Sequence, residues 1–149
     1  MNINWVTVVV FVVGGAIGVV YGIEDLLRSL AFRRLAKEFG FPGLKKRLPE
    51  ALSLYGTPFV HRRLTWNVID GERHTLRVVV FDCQIGEGAG NWKRTVIAIR
   101  TGSSTMDANK FDARMKVENS GGWSVFYYPW ALKLGLMPIK ELRAHLASI

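Results

Sequence analysis

From Ile3 to Ile23 the chain runs for twenty-one consecutive residues without a charged side chain, valine being the commonest residue. A helix of that length rises about 31 Å at about 1.5 Å per residue, which matches a hydrocarbon core of about 30 Å. Lipid offers the backbone no hydrogen-bond partners, so such a run must satisfy its N–H and C=O groups internally, and a helix is expected despite the valines. Trp5 and Tyr21, near its two ends, suit the interfacial aromatic belts.

A cleaved signal peptide would need a basic leading segment, a shorter apolar run and a small-x-small cleavage site. No Lys or Arg precedes this run, and Glu24, Asp25, Leu26, Leu27 and Arg28 follow it, so a retained anchor is expected. Arg28, Arg33, Arg34, Lys37, Lys45, Lys46 and Arg47 all come shortly after the helix. Positive charge collects on the cytoplasmic side, which puts the N-terminus outside and the rest of the chain in the cytoplasm at the cell inner membrane. Gly14, Gly18 and Gly22 recur every four residues with Gly15 beside them, a spacing that lets another helix approach closely. Small-residue patterns are also common in membrane helices by chance.

The 149 residues carry a formal charge of +8, which invites a nucleic-acid reading. The excess is mostly juxtamembrane: between Glu24 and Leu64 there are nine Lys/Arg against four Asp/Glu. Anionic lipid on the cytoplasmic leaflet attracts such a segment at about 1 kcal/mol per basic residue. The expected partners are therefore integral membrane subunits and anionic headgroups rather than nucleic acid, and the glycine face also fits a second copy of the chain. With Cys83 as the only cysteine there is no intrachain disulfide and no thiolate metal cluster.

The expected fold is α+β: one N-terminal transmembrane helix, a basic juxtamembrane helix, then an antiparallel sheet of about five strands with a C-terminal helix. The expected division is residues 1–24 as anchor, 25–57 as a basic amphipathic connector and 58–149 as the sheet domain. Leu27, Ala31, Leu35 and Phe39, spaced by four, predict a helix from Glu24 to Phe39 that lies along the membrane or packs its leucines on the domain or a partner. Leu44 to Leu54 reads as a short second helix around Pro49. Leu64, Trp66 and Val68 alternate with polar residues, Asp70-Gly71 signals a hairpin turn, and Leu76 to Ile85 is a strand apolar on both faces. Further strands are expected over Trp92 to Thr101, Phe111 to Glu118 and Trp123 to Tyr128, with a helix from Ile139 to Ala147 after Pro138.

Residues that could carry chemistry are sparse. The glycines at 86, 88 and 90 join two strands rather than opening a helix, so a phosphate loop is not expected. His61, His74 and His145 lack metal-site spacing, Cys83 sits in an apolar strand, and Ser103-Ser104-Thr105 has no nucleophile-elbow context. No catalytic residue, metal or cofactor is expected. Trp123, Phe126, Tyr127, Tyr128 and Trp130 crowd into eight residues. Either the C-terminal helix covers the outer side of this run, or Trp123, Phe126, Tyr128 and Trp130 form a docking surface for a partner; aromatic–basic contact with RNA has no supporting signature.

Val80-Phe81-Asp82, the glycine-rich turn, Arg94-Thr95-Val96, the Gly121-to-Pro129 segment and the Pro138-Ile139-Lys140-Glu141-Leu142 helix start resemble a family of small single-pass bacterial membrane proteins of unknown function. The likeness spans roughly Trp66 to Leu146 and departs at Cys83, where those proteins usually carry an aromatic. It implies architecture and anchoring and brings no catalytic residue. Together these readings lead to an expected non-enzymatic accessory subunit of a membrane complex, of which respiratory and photosynthetic assemblies are examples, or a free tethered module that binds anionic lipid or a soluble ligand.

Overall fold

The computed structural model describes residues 5–86, 92–104, 106, 111–129 and 135–149. It divides into two compact units, Met1–Ala31 and Phe32–Ile149.

Helix α1 runs without a break from Trp5 to Glu38, and among the described residues it is the one helix long and apolar enough to cross a membrane. Its apolar portion makes up most of the first unit and its last turns belong to the second. There Phe32, Leu35 and Ala36 are fully buried and Phe39 packs beside them, an i, i+3, i+4, i+7 stripe. Of the expected Leu27–Ala31–Leu35–Phe39 row it keeps Leu35 and Phe39 and takes Phe32 and Ala36 in place of Leu27 and Ala31. Leu27 and Leu30 are exposed, while the stripe beginning at Phe32 goes into a protein core and not along a membrane.

The second unit is built on a six-stranded antiparallel sheet of order β1-β2-β3-β4-β6-β5. The strands are β1 (Leu44–Lys45), β2 (Leu64–Arg73), β3 (Leu76–Ile85), β4 (Trp92–Arg100), β5 (Lys116–Ser120) and β6 (Trp123–Tyr127), and helix α2 (Ile139–Ser148) closes the chain. The sixth strand is the short β1, which replaces the helix expected around Pro49 because Leu44 and Lys45 pair with Ile69 and Val68 on the edge of β2.

Two further boundaries moved for identifiable reasons. Asp70-Gly71 is not a turn; β2 continues through it and the chain reverses at His74 and Thr75, both at positive φ. Gly71 is needed for space instead, because a Cβ there would run into the ring of Phe41. The strand expected from Phe111 starts only at Lys116, since Asp112 folds the chain first: its Oδ1 accepts from Arg114 N at 2.9 Å and its carbonyl from Met115 N at 2.8 Å.

Both faces of the sheet are covered. On one, Val78, Val80, Ile97, Ile99 and Phe126 meet Phe32, Leu35, Ala36, Phe41, Met137, Leu142 and Leu146. On the other, Val79, Phe81, Cys83, Val96, Ala98, Trp123 and Val125 meet Leu54 and Phe59, with Leu48 and Leu52 alongside. The segment between β1 and β2 is held there by the Trp123 indole N–H donating to Ala51 O at 2.8 Å and by the Ser53–Ser120 hydroxyl pair at 3.0 Å.

Candidate functional site

Groups able to bind or react lie in three places: the glycine face of α1, the basic residues that follow it, and the polar side chains inside the sheet domain.

Within the first unit, a Cβ added at Gly14, Gly15, Gly18 or Gly22 would meet nothing within 4 Å. The neighbouring large apolar side chains are open as well, Trp5 at 73 %, Phe11 at 77 % and Tyr21 at 60 %. Contiguous apolar surface on this scale marks a membrane or protein contact. Beyond it, Arg33, Arg34, Lys37, Lys46 and Arg47 are exposed and Arg28 is half-buried. Lys45 is committed elsewhere: its ammonium lies 2.6 Å from Asp70 Oδ2, and Arg77 holds the same carboxylate through two bonds of 3.0 Å. Burial of Asp70 would push its pKa up, but the bonds from Arg77 and Lys45 outweigh this and hold it below its ordinary value.

The expected aromatic docking surface is corrected by burial. Trp123, Phe126 and Tyr128 are core residues, because the strand carrying them has cover on both sides. Phe59 meets the Tyr127 ring edge-on at 4.7 Å between centroids, and Phe111 does the same to Phe126 at 4.6 Å. Trp130 lies outside the described residues.

Two polar networks in the domain were not singled out from the sequence. The first is centred on Asp82, fully buried mid-way along β3. Its Oδ2 accepts from Asn67 Nδ2 at 3.0 Å and its Oδ1 from Thr95 Oγ1 at 2.7 Å; Thr95 Oγ1 in turn accepts from Met137 N at 3.0 Å. Asn67 stands at the irregularity in β2 between Trp66 and Ile69, with φ at 51°, a conformation Asn tolerates better than most residues. One carboxyl on β3 thus joins the irregular β2 on one side, β4 on the other and, through Thr95, the lead-in to α2. The available signal was a lone acid inside the Val-Val-Val-Phe-Asp-Cys run.

The second network links α2 to β6. Tyr128 Oη donates to Asp112 Oδ2 at 2.8 Å, and His145 Nε2 lies 3.3 Å from that phenol oxygen, Tyr128 Oη. With its single proton directed to Asp112, the phenol accepts from His145. Arg114 grips the carboxylate at 2.7–3.1 Å and, through those bonds, holds Asp112 well below the carboxylate range. Burial, then the bond to Asp112, pushes Tyr128 above its ordinary value. The Phe111 ring stands edge-on to His145 at 5.7 Å. This geometry fastens a helix to a strand and leaves none of its oxygens poised as a nucleophile.

Cys83 is buried, and burial followed by the nearby Asp82 pushes its thiol up to about 12, which makes it inert. Ser103 and Ser104 line a hollow of about 230 Å³ with Thr101, Asn119, Ser120 and the Gly121–Gly122 turn, without a histidine or carboxylate among its lining residues. Among the described residues no cluster of His, Cys, Asp and Glu could hold a metal ion. Comparison with protein-family models, curated proteins and solved structures finds no match to this chain.

Proposed function

We propose that the chain is a non-enzymatic accessory subunit of a multisubunit bacterial membrane complex. In this reading α1 spans the inner membrane with its N-terminus outside, Gly14, Gly18 and Gly22 receive a helix of the complex, and the sheet domain braces the assembly from the cytoplasm. A respiratory or photosynthetic complex is the kind of host that takes on small single-pass subunits.

The observation carrying the proposal is the open glycine face: within the first unit, no described residue beyond the neighbouring helix backbone comes within 4 Å of a Cβ added at these glycines, in a helix whose most apolar stretch is wholly unburied. Lipid can cover the valines. A row of missing side chains is filled best by a second helix, because close backbone approach supplies the van der Waals contact that drives association in lipid. The sheet covered on both faces is compatible with a bracing role.

The test is native purification in mild detergent. The wild-type chain brings a stoichiometric set of integral membrane proteins with it; Gly14→Leu combined with Gly18→Leu loses them while the near-ultraviolet circular dichroism of the domain is unchanged. Unchanged co-purification of the double variant refutes the helix-packing reading. Recovery of only further copies of this chain assigns the glycine face to self-association.

The exposed Arg33, Arg34, Lys37, Lys46 and Arg47 favour a second reading, a tethered module that binds anionic lipid. It requires the chain to be recovered without stoichiometric partners.

A further inference from the structure

Outside α1, the exposed large apolar side chains among the described residues are Tyr55, Val60, Leu64 and Trp92, and the last three gather at one end of the sheet. Val60 belongs to the 3₁₀ turn at Pro58–His61 that leads into β2; Leu64 opens β2 opposite Gln84, and Trp92 opens β4 opposite Ile85. Arg63 N donates to Gln84 O at 2.9 Å, tying the lead-in to the same strand ends. Leu64 is 59 % exposed and Trp92 39 %. The far end of these strands is taken up by the close of α1, where Arg73 lies over the Phe39 ring and Phe41 fills the space beside Gly71.

Cations interleave with the apolar residues at this tip. Arg63 and Lys93 are exposed and Arg62 is half-buried. The Lys93 ammonium is 5.7 Å from the centre of the Trp66 ring, and the Arg94 guanidinium 5.9 Å from that of Trp92. No Asp or Glu occurs in 55–66 or 92–94, and Asp82, the acid of β3, is fully buried; Glu87 lies outside the described residues.

We propose that this tip is a docking surface for an anionic membrane leaflet, with Trp92, Leu64 and Val60 at the headgroup–acyl boundary and Arg62, Arg63 and Lys93 among the lipid phosphates. Tryptophan and aliphatic side chains beside Lys and Arg form the composition that lies in the interface, and no carboxylate among the described tip residues repels the headgroups. The inference rests on the anchoring part of the proposed function. An anchor whose apolar run ends at Ile23, shortly before the folded unit begins at Phe32, keeps the domain at high effective concentration near the bilayer.

The experiment uses the full chain in vesicles of phosphatidylcholine with or without phosphatidylglycerol, carrying a fluorophore at Val60→Cys or, as the control, at His74→Cys in the β2–β3 turn. The buried Cys83 stays unlabelled. With acidic lipid, headgroup-level spin-labelled lipid quenches the Val60→Cys label and spares the His74→Cys label. Arg63→Gln with Lys93→Gln lowers the docked-to-free ratio roughly twenty-five-fold, about fivefold per charge, and high salt does likewise. Quenching that is equal in neutral and acidic vesicles, or unchanged in the double variant, overturns the docking surface while leaving the anchor intact. Release of the whole chain by alkaline carbonate overturns the anchor and, with it, the docking.

Discussion

Replacing Asp82 by alanine tests whether the buried polar network is what holds the domain in one register. The substitution removes the acceptor of Asn67 Nδ2 and of Thr95 Oγ1, both in buried surroundings. A buried donor left without a partner costs about 1–3 kcal/mol, so two cost about 2–6 kcal/mol. Relief of the cost of burying a carboxyl group offsets part of this, and about 3 kcal/mol of destabilisation is expected. For a unit of this size about 4 °C of melting temperature accompanies each kcal/mol, which makes the shift about 12 °C. The assay is near-ultraviolet circular dichroism of the detergent-solubilised chain, since the packed tryptophans report on the sheet domain. Asn67→Gly removes the amide while keeping the positive φ comfortable, and Thr95→Val removes the hydroxyl at nearly constant shape. Combined with Asp82→Ala, each should show a coupling of about 0.5–3 kcal/mol. A melting shift within about 2 °C of wild type, or strict additivity, would show that Asp82 does not hold the domain together through Asn67 and Thr95.

Other expectations follow from single contacts. Gly71→Ala drives a methyl group into the Phe41 ring and should cost about 1–3 kcal/mol in thermal melting, with Phe41→Leu restoring part of the loss; an unaffected melt would mean that the ring moves away freely. Asp70 has a folded-state pKa below its ordinary value of 3.8, so its stabilisation is present above about pH 4 and is lost as pH falls through the folded value. Acid titration of Asp70→Asn should accordingly show a shallower loss of stability below pH 4, and an unchanged slope would contradict this. Cys83, buried with its thiol near 12, should resist alkylation at pH 8 until the domain is denatured; prompt labelling of the native chain would show that the strand opens.

How much could be read in advance varied by element. β3 was legible to the residue, because a run of β-branched side chains bounded by turn signals has few alternatives. α2 was legible from Pro138 onward. The Asp70-Gly71 pair misled, since the dipeptide that favours a hairpin turn also serves where a glycine must make room and an aspartate must meet two cations. Which aromatic residues are surface could not be read either. Trp123, Phe126 and Tyr128 are core because the Leu48–Phe59 segment covers one face, and α1, α2 and Met137 the other, and chain segments far apart in sequence had to be brought together for that to be known.

The long apolar helix and its glycine spacing, the basic stretch after it and the antiparallel α+β domain follow from residue order alone, because they depend on local hydrophobic period and on charge along the chain. Folding in three dimensions was needed to place the last turns of α1 in the core, to tie Asn67 to Thr95 through Asp82, and to bring Val60, Leu64 and Trp92 to one tip with Arg63 and Lys93. Those are relations between residues far apart in the chain. They are set by strand register and packing, and no local pattern encodes them.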